Sequence, residues 1–240
     1  MSTLVRIVIT SILSVLMLSC SISFGPGIDG NRNVVSQDRN ISNDFESIKV
    51  GQGLDLYITQ SNAVDLSVEA DENLHEFIMT EVEDGVLSIY TTENIRRAAS
   101  RRINVTVVNL SAIKATSGSE VISTNTIEVD ELELNTTSGA EMKIDVKTES
   151  LNCQSTSGSD IKVSGTTVLL FAEATSGSDI KASNLKASIS KVKATSGADI
   201  SLNTSKELTA RATSGAGIRY SGNPKKVEKS DSSSGSVRAN

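Results

Sequence analysis

An all-β fold is what this sequence predicts: a parallel β-helix-like solenoid with about 20 residues per coil and an irregular β part at its N-terminal side. Two observations carry that expectation. The phrase Thr-Ser-Gly, followed by Ser or Ala, occurs six times, beginning at Thr116, Thr137, Thr156, Thr175, Thr195 and Thr213. Its glycines are Gly118, Gly139, Gly158, Gly177, Gly197 and Gly215, separated by 21, 19, 19, 20 and 18 residues, and a worn copy, Ser233-Ser234-Gly235-Ser236, follows. Between copies, apolar and polar residues alternate with period two, as in β-strands. A unit this short cannot bury its apolar face alone, so the copies must stack.

In chain order, residues 1–20 read as a lipoprotein signal peptide. Arg6 and the amino terminus supply positive charge, and Ile7 to Leu18 is an apolar stretch of secretory length, short for a membrane span. It ends in Met17-Leu18-Ser19-Cys20, which resembles the bacterial lipobox with Met17 where leucine is usual. Cys20 is then the lipidation site and the protein's link to the membrane; an ordinary cleaved signal is the alternative. The expected location is the outer membrane or cell envelope, facing the periplasm or the cell surface. Residues 21–40 are polar, with Gly25, Pro26, Gly27 and Gly30, and read as a flexible tether.

Residues 41–110 read as an N-terminal β part that supplies irregular coils or a cap for the open solenoid end. Ile48, Val50, Leu54, Leu56 and Ile58 form an alternating run interrupted by Gly51 and Gly53, a bulge or turn. Val64, Leu66 and Val68 form another, and Asp71 to His75 is placed as one helical turn. Glu83-Asp84-Gly85 separates Phe77 to Val82 from Val86 to Tyr90 as a hairpin, and Ile103, Val105 and Val107 lead into the repeats.

Residues 111–240 read as the repeat solenoid. Five residues after each Thr lie Val121, Met142, Ile161, Ile180, Ile200 and Ile218, and three before lie Ile113, Leu134, Cys153, Ala172, Val192 and Ala210. These apolar columns point inward, which makes Cys153 a small core residue. Small residues flank each Gly, so the phrase marks a tight corner where glycine supplies backbone freedom. Four after each Thr stand Glu120, Glu141, Asp160, Asp179 and Asp199, then Gly217, an outward acidic ladder. Beside it stand Ile122, Lys143, Lys162, Lys181, Ser201 and Arg219, so a solvated, charge-balanced face is the reading preferred over a cation or polyanion track.

Composition removes several functions. Net charge is −6 with no basic patch, which excludes nucleic acid as a partner, and aromatics are 3% with no Trp, which disfavours stacking platforms for bases or sugar rings. With Cys20 lipidated, Cys153 has no partner and no disulfide framework exists. The lone His75 reads as a surface residue without a nucleophile beside it. Gly-Ser-Asp-Ile differs from calcium β-roll motifs in period and in glycine content, so no metal and no cofactor is expected.

The segments Phe45 to Gly51, Leu54 to Gln60, Val68 to Leu74 and Asp84 to Tyr90, followed by the repeats and Tyr220-Ser-Gly-Asn-Pro224, together resemble a known family. It is the "putative auto-transporter adhesin, head GIN domain" family, a DUF2807-type domain common among lipoproteins of the Bacteroidetes group. This chain has Thr-Ser-Gly where many relatives show Ser-Gly-Gly. The resemblance implies a right-handed β-helix-like solenoid and no catalytic or binding residues to carry over. The expected function is a non-catalytic envelope lipoprotein, an adhesin or scaffold whose partner is an envelope or extracellular protein or a glycan. The alternative is a polysaccharide-binding or polysaccharide-cleaving β-helix protein. A Thr-ladder face that orders ice or mineral is a third reading, which the Ser-Gly corner disfavours.

Overall fold

The computed structural model describes residues 27–232 and 234–240. The signal peptide, Cys20 and the first part of the expected tether lie outside the described residues. The N-terminal strands are β1 (Ile28–Asp29), β2 (Val34–Asp38), β3 (Ser47–Val50), β4 (Asp55–Gln60), β5 (Asp65–Asp71), β6 (Ile78–Glu83), β7 (Val86–Thr91), β8 (Ile95–Arg97) and β9 (Arg101–Val107). Next come β10 (Ala112–Ala115), β11 (Glu120–Ser123), β12 (Ile127–Glu128) and β13 (Glu131–Thr136). The long strands of the solenoid are β14 (Glu141–Thr156), β15 (Asp160–Thr175), β16 (Asp179–Thr195) and β17 (Asp199–Thr213). β18 (Gly217–Ser221), β19 (Lys226–Ser232) and β20 (Ser236–Ala239) finish the chain.

Pairing between coils is parallel and holds its register around the corners, with shifts between Lys162 and Ser164 and between Ala182 and Ile189. Thr156 lies beside Thr175 and Thr175 beside Thr195, while Ile161, Ile180 and Ile200 stack in one inward column. Each of these isoleucines is almost wholly buried, and each contributes roughly 1.5–3 kcal/mol of hydrophobic stabilisation. Both expected inward columns are buried throughout, Cys153 included.

The Thr-Ser-Gly corner forms as expected, with one refinement. In all six copies the Ser and the Gly both have positive φ, as at Ser157 (58°) and Gly158 (69°). Two successive left-handed residues reverse the chain in the manner of a type I′ turn. Four corners close through their backbone, as where Ser119 N donates to Thr116 O at 3.3 Å, and at the other two the Thr156 and Thr175 amides donate to Ser159 Oγ and Ser178 Oγ. Corners also bond to one another: Gly118, Gly139 and Gly158 N donate to the carbonyls of Ser138, Ser157 and Ser176 in the next coil, at 3.1–3.2 Å. A Cβ on any of the six glycines would meet nothing within 4 Å, so left-handed φ, and not space, selects glycine there. Gly165 is the opposite case. Its φ is 104° and a Cβ would sit 2.0 Å from the Val146 carbonyl oxygen of the coil below.

The N-terminal part is woven into the solenoid. Gly51-Gln52-Gly53-Leu54 adopts the same corner, with φ of 59° at Gln52 and 70° at Gly53, and Gly53 N donates to Ser117 O at 3.0 Å. The coil of β3 and β4 pairs on one side with β10 and β11. On its other side it pairs with β7 and β9, which come later in the chain. The coils therefore stack out of chain order, and parts 41–110 and 111–240 share one ladder and one core. Beyond that outer coil, β5 runs antiparallel to β9, β2 antiparallel to β5, and β6 antiparallel to β7, capping the end of the stack.

Two expectations need correction. From residue 27 onward the stretch assigned to a tether is folded: β1 pairs with β8 and β2 with β5. Its polar side chains and amides act as hooks, since Arg32 N donates to Asp71 Oδ2 at 2.9 Å and Asn31 N to Asn73 Oδ1 at 2.8 Å. His75 is buried, not at the surface, because β2 covers it; its Nε2 faces the carbonyls of Val35 and Ala70 at 3.1 and 3.3 Å. The helical turn is a short 3-10 segment, Glu72–Leu74, and the hairpin at Asp84-Gly85 forms between β6 and β7.

At the far end, β19 pairs with β17 so that Lys229 stands beside Ala210 and Asp231 beside Ala212. Two columns that are apolar and buried in the preceding coil thus end in charges, and all of β19 is exposed.

Candidate functional site

Three surfaces run along the stack: a carboxylate face, a hydroxyl corner and a second, mixed face. On the first, β11 and β14 to β17 bring the predicted acidic residues into one column, Glu120, Glu141, Asp160, Asp179 and Asp199. The column extends one coil further than the sequence reading had it, because Asp55 pairs with Glu120 and Arg102 pairs with Asp55. The signal for Asp55 was its spacing from Gly51-Gln52-Gly53, equal to that from each Thr-Ser-Gly. Burial raises the Asp55 carboxyl above its ordinary value, and Arg101 and Arg102 offset part of that. At the other end Gly217 interrupts the column, where a Cβ would fall 2.2 Å from Asp199 Oδ1.

Like charges at strand spacing repel, and the neighbouring column answers them. Lys181 Nζ reaches Asp160 at 3.3 Å and Asp179 at 3.4 Å. Desolvation alone would lower the Lys181 pKa, but the hydrogen bond and charge of Asp160, then Asp179, leave it raised. Half-exposed pairs like these contribute at most about 1 kcal/mol. Among the described residues no group of three or more His, Cys, Asp or Glu is placed to hold a metal ion. The carboxylates of the column lie at least partly in solvent, and Lys181 bridges two of them.

At the corner the Thr side chains are half-buried and the Ser side chains exposed. The hydroxyls bond along the corner: Thr213 Oγ1 donates to Thr195 Oγ1 at 3.0 Å, and Thr156 and Ser157 hydroxyls meet at 3.4 Å. Just inside, Ser159 Oγ donates to Thr156 O at 2.7 Å, and Ser178 Oγ donates to Ser155 O at 2.7 Å. Buried hydroxyls so satisfied stabilise the turn, and their role is structural.

The second face carries features the sequence reading missed. Its outward columns are Lys114, Asn135, Gln154, Glu173, Lys193 and Arg211, and beside it Glu133, Asn152, Phe171, Lys191 and Thr209. Two adjoining troughs of about 580 and 350 Å³ follow these columns and share Gln154 and Glu173 in their walls. Lys193 Nζ is 2.6 Å from Glu173 Oε1, and Lys191 Nζ lies 5.5 Å from the Phe171 ring centroid. The signal for this site was the run Val168-Leu169-Leu170-Phe171, which departs from strict alternation.

Neither chemically versatile residue presents a reactive group at these surfaces. Burial pushes the Cys153 thiol up to about 12, and His75 is tied to backbone carbonyls. No helix among the described residues is long and apolar enough to cross a membrane.

The fold recurs in solved structures. A protein of Bacteroides fragilis titled a putative adhesin superposes with a TM-score of 0.84 at 23% identity, covering 89% of this chain and 100% of its own. One of Parabacteroides distasonis, titled a putative lipid binding protein, gives 0.74 at 25% identity over 90% of this chain and 100% of its own. A third, a putative adhesin of Parabacteroides merdae, gives 0.71 at 19% identity over 90% and 100%. No curated protein matches the chain in sequence. A family model matches residues 44–224, a span that runs from Asp44, just before β3, to Pro224 after the last full corner, and the chain belongs to that family, "putative auto-transporter adhesin, head GIN domain".

Proposed function

We propose that this protein is a non-catalytic adhesin or scaffold of the cell envelope, held to the membrane by lipid on Cys20. The observation that carries the reading is the in-register repetition of outward side chains on a ladder whose backbone groups pair above and below. Such a surface is rigid, so binding orders few side chains, and a weak contact repeated along it gains by avidity. The family description and the adhesin titles of structural relatives support the same reading. The evenly spaced carboxylates stand in one column without an opposed pair flanking a cleft, which favours binding over cleavage of a glycan.

Register makes a clean test possible. Deleting residues 141–159 joins Ala140 to Asp160, which occupies the same column position as Glu141, so one coil is removed without a frame slip. Beads carrying the protein should adhere to cell monolayers or isolated bacterial envelopes, and the shortened protein should adhere less. Beads that adhere to nothing would refute the adhesin reading. Incorporation of labelled palmitate by the wild type and not by Cys20→Ala tests the anchor.

A further inference from the structure

On the adhesin reading, the second face is the part of the molecule that departs from its own repeat. Two outward columns there are polar in most coils. One reads Glu131, Ser150, Leu169, Ile189 and Glu207; the other reads Glu133, Asn152, Phe171, Lys191 and Thr209. Leu169, Ile189 and Phe171 are half-buried on this outward side, and Val168 beside them is 43% exposed. Nothing in the solenoid's own packing calls for these apolar residues, since the inward columns are filled by Leu170, Ala172 and Val192. Around Phe171 stand amides, a hydroxyl and ammonium groups: Asn152, Gln154, Thr209, Lys191 and Lys193. Leu169, Ile189 and Val168 lie beside the trough, and within its lining Phe171 is the one large outward apolar side chain among these polar groups, the composition of a sugar-sized subsite.

We propose that this trough binds an extended glycan bearing carboxylated sugar units, with one pyranose ring stacked on Phe171 and its carboxylate held by Lys191. The shape sets the polymer. The troughs run from Lys114 to Thr209, five coil steps, or about 24 Å at the ~4.8 Å strand spacing. The backbone excludes a peptide strand: this is a sheet face and not an edge, and its N–H and C=O groups are already paired above and below, so no strand can be added. Recognition must go through side chains, and amides, hydroxyls and an aromatic face match a sugar's hydroxyls and its C–H face. Charge sets the sugar. The lining carries Lys114, Lys191 and Lys193 against Glu133 and Glu173; Lys193 pairs with Glu173, which leaves Lys191 as the cation beside Phe171. A single aromatic platform cannot stack successive bases, which does not suit nucleic acid.

The test is titration of the immobilised full chain with polygalacturonate, hyaluronan and neutral dextran. At least one uronate polymer should bind and dextran should bind more weakly. Phe171→Ala should weaken binding about tenfold or more, Phe171→Tyr should retain it, and Lys191→Gln should erase the preference for the charged polymer. Asp179→Asn, on the carboxylate face, should change nothing. Thermal melts of each variant check folding, and Phe171→Tyr keeps the test decisive if Phe171→Ala misfolds. Failure of both uronate polymers to bind overturns the proposal, as does wild-type binding by a folded Phe171→Ala. A dimer in light scattering that Phe171→Ala dissolves would assign the patch to a second copy and overturn it as well. Beads that still adhere to cells while binding no uronate would sink this inference alone and leave the adhesin reading standing.

Discussion

Gly158→Ala and Gly165→Ala separate two reasons for keeping glycine in one solenoid. At Gly158 the φ of 69° is left-handed, but an added Cβ would meet nothing within 4 Å. The cost is therefore the left-handed penalty alone, about 1–2 kcal/mol. At Gly165 the φ is 104° and the added Cβ would lie 2.0 Å from Val146 O, with the Val146 carbonyl carbon at 2.9 Å and its nitrogen at 3.0 Å. Backbone of the adjacent coil cannot swing aside as a flexible side chain can, so an overpacking cost of about 1–3 kcal/mol adds to the conformational one. The expected totals are about 1–2 kcal/mol for Gly158→Ala and about 2–5 kcal/mol for Gly165→Ala. In a domain this size, each kcal/mol lowers the melting temperature by about 2–4 °C. Urea titration followed by far-ultraviolet circular dichroism, with thermal melts in parallel, reads both. Equal losses at the two positions, or a neutral Gly165→Ala, would refute the argument that coil-to-coil backbone contact fixes Gly165.

Other expectations follow from the cap, the core and the terminal coil. Burial would raise the Asp71 carboxyl, but amide donors from Arg32, Ser100 and Ala99 overcome it and hold the group below its ordinary value. A depressed carboxyl contributes stability that is present above its unfolded pKa, near 4, and lost as pH falls through the folded value. Asp71→Asn should therefore flatten the acid limb of stability in denaturant titrations across that window; an unchanged limb would show that Asp71 does not drive it. With its thiol buried and pushed up to about 12, Cys153 should resist thiol reagents at neutral pH and react only as fast as the stack opens. Rapid labelling of folded protein would contradict the burial of that column. Lys229→Val combined with Asp231→Ala should make the terminal edge apolar and promote end-to-end association in light scattering, because inward charges on an edge strand block pairing. A strictly monomeric double variant would remove that role from the two residues.

Most of the fold was legible because its signals are local. The corner phrase fixes two left-handed residues, and counting five forward or three back from each Thr finds a buried side chain in every copy. What was not legible depends on distant chain. Coil β3–β4 lacks Thr-Ser-Gly, and its neighbours on both sides come later in sequence, so no period announces its place. His75 looks solvent-facing until β2, 40 residues earlier at Val35, folds over it. The hooks of residues 27–38 read as tether composition because their work is done by amides and carboxylates. Of the candidate surfaces, the carboxylate column could be counted from the corners. For Phe171 the break in alternation at Val168–Phe171 was legible, but that it interrupts a polar column shows only when the outward residues of five coils are laid side by side.

The interleaved coil has a consequence for how the molecule is assembled. When Ser47–Gln60 first emerges, both of its lateral edges are bare; one neighbour is complete only with Val107 and the other only with Ser123. Every rung from β14 onward instead lays itself against a finished edge, a local step with a short loop to close. The part up to Ser123 is thus the non-local one, where the larger loop entropy is spent before contacts reward it, and the rest winds on behind it. A chain that ended anywhere between Gln60 and Val86 would strand an inner rung with no partner on either flank.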